Sequence, residues 1–430
     1  MIESPVLAPR RRSPVVSQDS ADVLSSAAQA QLDRVGPEVT HASAAETAIE
    51  VSVIMPCLNE AETLEVCINK ARRCLEKNNI RGEVIVADNG STDGSVEIAR
   101  RAGARVVHVA EKGYGAALRG GFGSARGKYL IMGDADDSYD FENFMPFIER
   151  LRAGDDLVMG NRFRGGIGKG AMPWHHKYIG NPVLTGILNL FFRSGIGDAH
   201  CGLRGLSRRA FVALDLKTPG MEFASEMVIK AVMQGMRISE VPTTLKPAGR
   251  SRPPHLRSFR DGWRHLRFMM LLAPNWLLML PGAVMALLGG LIFLLLMRGP
   301  IAVGPAVLDV HTMLIGALGV TLGYQAITMG YAARIYAVLE GIARPSRALE
   351  FGFRVINLER GLLAGAAMAA CGLAIIVAVT LIWANGSFGP LDTSRTLRPL
   401  AAGITLITLG MQTVLMSFFY SMLGLCGRRG

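Results

Sequence analysis

Tyr129-Leu130-Ile131-Met132-Gly133-Asp134-Ala135-Asp136 joins a short, wholly apolar run to two carboxylates separated by one residue. An apolar run of four reads as a buried strand, and residues two apart at its end leave on the same side. The same pattern recurs upstream. Val51-Ser52-Val53-Ile54-Met55 is a β-branched run followed by helical spacing from Glu60 to Lys77. Val84-Ile85-Val86-Ala87 leads into a turn at Asp88-Asn89-Gly90 and a helix from Ser95 to Ala102, and Val106-Val107-His108-Val109 continues the series. Strands alternating with helices predict an α/β fold with a mostly parallel central sheet and helices on both faces. In such sheets ligands bind at the carboxyl ends of the strands, where the polar loops of this sequence fall.

Oxygen-rich strand ends suit hard cations. Mg2+ or Mn2+ held by Asp134 and Asp136 would complete its shell from substrate phosphates and neutralise a diphosphate leaving group. A solvated acidic loop is the competing reading of two such carboxylates taken alone. Asp88-Asn89-Gly90-Ser91-Thr92-Asp93-Gly94 and Pro56-Cys57-Leu58-Asn59-Glu60 also end strands. The first could simply be a turn with an Asx cap before a helix, a role compatible with ligand binding.

The remainder of the chain is of a different character. Half of the 430 residues are hydrophobic and the net charge is +11. The apolar excess is concentrated after Phe268, in four stretches of spanning length centred on Trp276–Leu296, Met313–Tyr331, Leu362–Trp383 and Leu400–Leu423. Arg334, Arg344, Arg347, Arg354 and Arg360 between the second and third stretches, with Arg428 and Arg429 at the end, outnumber Arg298, Arg395 and Arg398 on the other side. The positive-inside rule then puts the catalytic part and both termini in the cytoplasm of a multi-pass inner-membrane protein. Six cysteines without a CxxC pair suggest neither a zinc site nor a disulfide framework. Four segments follow: a disordered tail over 1–48, a catalytic domain over 49–253, an amphipathic helix over 254–273 and a transmembrane domain over 274–430. In the third segment Arg257, Arg260, Arg264 and Arg267 form one stripe and Phe259, Trp263, Leu266 and Met270 another. At ~100° per residue the stripes lie about 110° apart, as in a helix lying among lipid headgroups. Arg250 and Arg252 extend the basic cluster. Its position favours membrane lipids and phosphorylated substrates over nucleic acid as partners.

The segment from about Val51 to Arg252 resembles a family-2 glycosyltransferase of the GT-A fold, in the branch of dolichol-phosphate mannose synthases and polyprenyl-phosphate glucosyltransferases. The resemblance rests on Met55–Glu60, Asp88–Gly94, Lys112-Gly113-Tyr114-Gly115-Ala116-Ala117, Gly133–Asp136, Gly160-Asn161-Arg162-Phe163, Cys201-Gly202-Leu203-Arg204 and Glu240-Val241-Pro242, in family order. It implies that Pro56, Asn59, Glu60 and Asp88 contact the nucleoside of a nucleotide sugar, and that Lys112 and Gly113 sit near its ribose and diphosphate. It further implies that Asp134 and Asp136 form the metal and catalytic element, and that Arg162 and Arg204 face phosphate as catalytic cations.

Two departures stand out. Ser138 occupies a place where relatives often carry a metal-holding Gln. Pro173-Trp174-His175-His176-Lys177 replaces an arginine-rich acceptor segment, leaving His176 or Lys177 to meet the acceptor. The implied acceptor, a polyprenyl phosphate such as undecaprenyl phosphate, is already an anionic nucleophile and needs no strong base. Catalysis reduces to positioning and charge, with inversion at the anomeric carbon. A processive polysaccharide synthase and a non-enzymatic scaffold with a degenerate nucleotide-sugar fold are the alternatives. The first usually shows a Gln-x-x-Arg-Trp motif, which Arg260-Asp261-Gly262-Trp263-Arg264 does not reproduce. The Gly-rich spans allow either a homo-oligomer or simple anchoring.

Overall fold

The computed structural model describes residues 49–252, 258–346, 349, 357–390 and 393–426. The segment read as a disordered tail lies outside them, as do Arg257, Arg347, Arg354, Arg428 and Arg429. The chain divides into two compact units. One runs up to Ala273 and includes Ile342–Arg344, and the other is built from Pro274–Gly341 and Pro345 onward.

The first unit holds a seven-stranded sheet: β1 (Val51–Cys57), β2 (Gly82–Asp88), β3 (Arg105–His108), β4 (Tyr129–Met132), β5 (Leu157–Asn161), β6 (Arg204–Ser207) and β7 (Ile238–Pro242). Their spatial order is β3-β2-β1-β4-β6-β5-β7, and β6 alone runs against the rest. The mostly parallel sheet expected from the sequence is present. The first four strands fall where the apolar runs place them. Of the last three, β6 and β7 are not legible as strands, because Arg204-Gly205-Leu206-Ser207 and Ile238-Ser239-Glu240-Val241-Pro242 lack a continuous apolar run and take their conformation from their neighbours, and β5 offers only the three-residue run Leu157-Val158-Met159.

The helices of this unit are α1 (Leu64–Lys77), α2 (Ser95–Arg101), α3 (Tyr114–Ser124), α4 (Met145–Arg152), α5 (Arg162–Gly165), α6 (Asn181–Phe192), α7 (Arg208–Leu214), α8 (Phe223–Met233) and α9 (Ser258–Leu271). Alternation along β1 sends Val51, Val53 and Met55 to one core, with Leu64, Ile68 and Phe144. Ile54 points to the other core, with Leu118, Phe122 and Phe223. Burying side chains of this size contributes roughly 1.5–3 kcal/mol each, so both faces of the sheet are secured. Because β1 pairs with β2 on one side and β4 on the other, the chain reverses its winding at β1. The crevice beyond the carboxyl ends of β1 and β4 is therefore the topological switch point where ligands enter sheets of this kind.

In the second unit, Asn275–Met297, Val310–Leu339, Leu358–Asn385 and Thr396–Gly424 are long and apolar enough to cross a membrane, matching the four stretches read from hydropathy. They comprise α10 (Leu280–Met297) with a preceding π-helical turn, α11 (Val310–Leu339), α12 (Leu358–Asn385) and most of α13 (Thr393–Cys426). Glycines close the helix pairs. A Cβ on Gly289 would lie 2.6 Å from the Gly316 carbonyl, and one on Gly372 would lie 2.5 Å from that of Gly403. The glycine faces that could have served oligomerisation are thus used inside the chain, between α10 and α11 and between α12 and α13.

Candidate functional site

The site is assembled from the loops that end β1, β2 and β4. After β1, Asn59 takes the left-handed conformation (φ 59°), which Asn tolerates better than most residues. Its side chain accepts the Thr92 N–H at 2.7 Å, while its own N–H donates to Ser91 Oγ at 2.9 Å. The next amide, of Glu60, donates to Ser95 Oγ at 2.9 Å. Asn59 therefore fastens the first loop to the second. After β2, Asp88 accepts the amides of Gly90 (3.2 Å) and Ser91 (3.0 Å) and lies 3.2 Å from His108 Nδ1. Burial would raise its pKa, but the bonds from Ser91, His108 and Gly90 outweigh it and hold the carboxyl below its ordinary value.

Asn89 is the organiser of the third loop. Its Nδ2 donates to the carbonyls of Val109 (3.0 Å) and Glu111 (2.7 Å), and its Oδ1 accepts the Gly113 amide at 2.8 Å. Lys112 Nζ returns to the Asn89 carbonyl at 2.6 Å. Gly113 has φ 138°, and a Cβ there would sit 2.2 Å from the Pro219 carbonyl, so two backbones meet where no side chain fits.

Beyond β4, Asp134 accepts the Tyr114 hydroxyl at 3.0 Å. Burial, then the neighbouring Asp136 carboxylate, raise the Asp134 pKa to about 6. Asp136 is buried and accepts both the Ser138 amide (3.1 Å) and the Ser138 hydroxyl (2.5 Å) through Oδ1. Its Oδ2 lies 3.2 Å from Arg250 Nη2. Arg250 also meets Glu60 Oε1 at 2.7 Å, where Arg252 joins it at 2.6 Å. The segment carrying these arginines runs along the carboxylate loop, with the Gly249 and Lys246 amides donating to the carbonyls of Asp136 and Ser138 at 2.9 Å. Arg250 and Arg252, read from sequence as part of a headgroup cluster, instead face Glu60 and Asp136. A run of cations with no acid near it in sequence gives no sign of which acid each will find.

These groups surround a cavity of about 530 Å3, a volume ordinary for a small-molecule site. Pro56, Glu60, Lys112, Gly113, Asp134 and Asp136 line it among the residues expected from sequence. Asn59 and Asp88 do not, and their side chains are spent on loop architecture. Tyr114, Asn89, Arg250 and Asp261 line it without having been singled out as ligand residues. Tyr114 and Asn89 adjoin residues that were, so proximity to those motifs was the available signal.

Arg162 and Arg204 are turned inward. Arg162 forks onto Asp198, with Nε to Oδ2 at 2.7 Å and Nη2 to Oδ1 at 2.8 Å. Arg204 is fully buried and donates to the carbonyls of Cys201, Ala224 and Ala199 at 2.8, 2.7 and 3.0 Å. Neither lines the cavity. His176 lies in a π-helical turn (His176–Gly180) with Nε2 at 2.7 Å from Ser258 Oγ, and Lys177 Nζ lies 5.3 Å from the Tyr178 ring centre. They too stand apart from the cavity lining.

The donor set suits a hard cation. No group of three or more His, Cys, Asp or Glu that could hold a metal occurs among the described residues, so there is no all-protein cage. Two carboxylates at a cavity wall are instead the arrangement by which Mg2+ or Mn2+ is shared between protein and phosphate. The proximity of Asp134 to Asp136, which raises the Asp134 pKa, marks a place where added positive charge is favourable. Glu60 Oε2, buried without a hydrogen-bond partner among the described residues, leaves an acceptor for a donor group of a ligand.

Residues 52–214 match the model of glycosyl transferase family 2, and residues 331–424 match that of the glycosyltransferase family 2 C-terminal transmembrane region. The low-salt glycan biosynthesis hexosyltransferase of Haloferax volcanii is 37% identical over 98% of both chains. A dolichyl-phosphate hexose transferase of the same organism is 29% identical over 45% of this chain and 81% of its own. The dolichol-phosphate mannosyltransferase of Pyrococcus furiosus is 28% identical over 46% of this chain and 56% of its own.

Proposed function

Because the chain belongs to glycosyltransferase family 2, we propose that it transfers a hexosyl group from a nucleotide sugar of the UDP-glucose or GDP-mannose kind to a polyprenyl phosphate, with inversion. The product is a lipid-linked sugar made at the cytoplasmic face of the inner membrane. The observation that carries this reading is the cavity at the switch point of the sheet, lined by Asp134 and Asp136 together with Glu60, Lys112 and Gly113. The names and extent of the relatives support the hexosyl and lipid-phosphate parts.

Each of these groups has a task. Glu60 presents an acceptor to the nucleoside, and Lys112 and Gly113 lie beside the diphosphate. Asp134 and Asp136 hold Mg2+ or Mn2+, which when bound neutralises the departing diphosphate. Arg250, now shared between Glu60 and Asp136, is placed to turn one N–H edge toward a phosphate oxygen, for which a planar guanidinium is well shaped. Arg162 and Arg204 act from behind by holding the loop that backs Asp134. The acceptor phosphate arrives already ionised, so the protein's part is to align it with the anomeric carbon and keep water out.

The test is incubation of the purified full-length protein and Mn2+ with radiolabelled nucleotide sugars and undecaprenyl phosphate. Label should pass to the lipid from one donor and be lost on Asp136→Asn substitution. Failure of every donor to label the lipid would remove the proposal, and an unchanged rate in the Asp136→Asn protein would remove the metal element.

A further inference from the structure

An anionic acceptor has to be met by cations, and Arg162, Arg204, His176 and Lys177, the cations expected to meet it, do not line the cavity. Arg162 and Arg204 are bound into the fold, and His176 and Lys177 lie outside the lining. Arg250 and Arg252 face Glu60 and Asp136 on the nucleotide side. Arg260, Asp261 and Arg264 of α9 line the same cavity.

Their arrangement suits a phosphate monoester. Arg260 and Arg264 are four residues apart, one turn of helix or ~6 Å of rise, so both guanidiniums can converge on a single phosphate. Each is about half exposed and only loosely tied to Asp261, at 3.6 Å and 3.9 Å, so among the described residues most of the five N–H donors of each fork remain for a ligand. Asp261 is buried on the helix face that also carries His265 and Met269. His265 Nδ1 lies 2.8 Å from Ser225 Oγ on α8, which ties the helix that carries both arginines to its neighbour. One residue round from the cationic stripe, Phe259 and Trp263 are exposed, at 95% and 57%. α9 therefore places an apolar strip beside a phosphate-sized pair of cations, the two halves of an isoprenoid phosphate.

Resting on the lipid-phosphate transfer reading above, we propose that Arg260 and Arg264 bind the phosphate of the acceptor, and that Phe259 and Trp263 carry the first isoprene units away from the cavity. α9 then acts as a substrate-binding element, beyond the headgroup role expected of it from sequence. The competing role for the same arginines is contact with anionic lipid headgroups, and the experiment separates the two.

Binding of a water-soluble short-chain prenyl phosphate to the full-length protein in neutral detergent is measured by calorimetry, with the matching prenyl alcohol and inorganic phosphate as comparison ligands. Arg260→Ala and Arg264→Ala should each weaken prenyl phosphate binding about tenfold or more, the worth of one charge-assisted hydrogen bond. Arg264→Lys, which keeps the charge but loses the fork, should fall between. Binding of a nucleoside diphosphate should be unchanged and reports that the fold is intact. Phe259→Ala should weaken the prenyl phosphate and leave inorganic phosphate unaffected. The proposal is overturned if wild-type protein does not bind prenyl phosphate, if the losses appear instead in His176→Ala or Lys177→Ala, or if the arginine variants differ from wild type only on anionic vesicles. Prenyl phosphate binding that depends on Arg260 and Arg264 without any sugar transfer would uphold this subsite and remove the transfer reading. Transfer with wild-type acceptor binding in both variants would do the reverse.

Discussion

Substituting Arg204 by Lys separates a structural arginine from a phosphate-binding one. The residue is 0% exposed, and its guanidinium reaches three carbonyls at once, those of Cys201, Ala224 and Ala199. A lysine ammonium keeps the charge but, as a single point, can satisfy about one of them. Two charge-assisted bonds are then lost, each worth ~1.5–3 kcal/mol. Allowing for partial relaxation around the smaller head group, we expect a loss of about 3 kcal/mol from the catalytic unit. At ~2–4 °C per kcal/mol for a domain of its size, its apparent melting temperature should fall by about 6–12 °C. Hydrogen-exchange mass spectrometry of the full-length protein should locate the loosening in residues 198–204 and at the start of α8, with α10–α13 unchanged. Sugar transfer should fall as a consequence. A variant that melts within about 2 °C of wild type, well under the shift expected for two lost bonds, but has lost transfer would refute the structural role. It would return Arg204 to the phosphate.

Three further outcomes follow from the same geometry. A Cβ on Gly202 would lie 2.5 Å from Asp134 Oδ2 and 3.0 Å from the Tyr139 ring, so Gly202→Ala should displace the carboxylate and lower Mn2+ affinity, read by electron paramagnetic resonance. Unchanged affinity would mean that Asp134 does not hold the ion. Arg250→Met removes the guanidinium from Asp136; Mn2+ should bind more tightly in the absence of nucleotide, while nucleoside diphosphate affinity drops, and a fall in both would contradict the sharing of Asp136 between arginine and metal. Burial, then the positive charge of Arg204, lowers the His265 pKa from 6.5 to about 4. The unfolded state therefore binds more protons than the folded one between those values, and stability is lost as pH falls from about 6.5 toward 4, by roughly 3 kcal/mol at the acidic end. Amide exchange in α9 should quicken over that window in wild type, and His265→Gln should flatten the response; an identical response in the variant would place the titration elsewhere.

Much of this molecule was determined by local sequence. Val51–Met55 and Tyr129–Met132 are apolar enough to be buried wherever the chain goes, and carboxylates placed directly after such strands have to emerge at the sheet's ligand-binding edge. The four spans are equally local, because crossing a bilayer demands an uninterrupted apolar run. What the tertiary structure decided was the pairing of charge. Arg162, Arg204, Arg250, Arg260 and Arg264 are alike in sequence, yet two are buried as internal ties, one bridges Glu60 and Asp136 and two line the cavity from α9. A long cationic side chain takes its partner from whatever acid or carbonyl the fold brings within reach, across separations as large as the 190 residues between Glu60 and Arg250, and no local pattern encodes that choice.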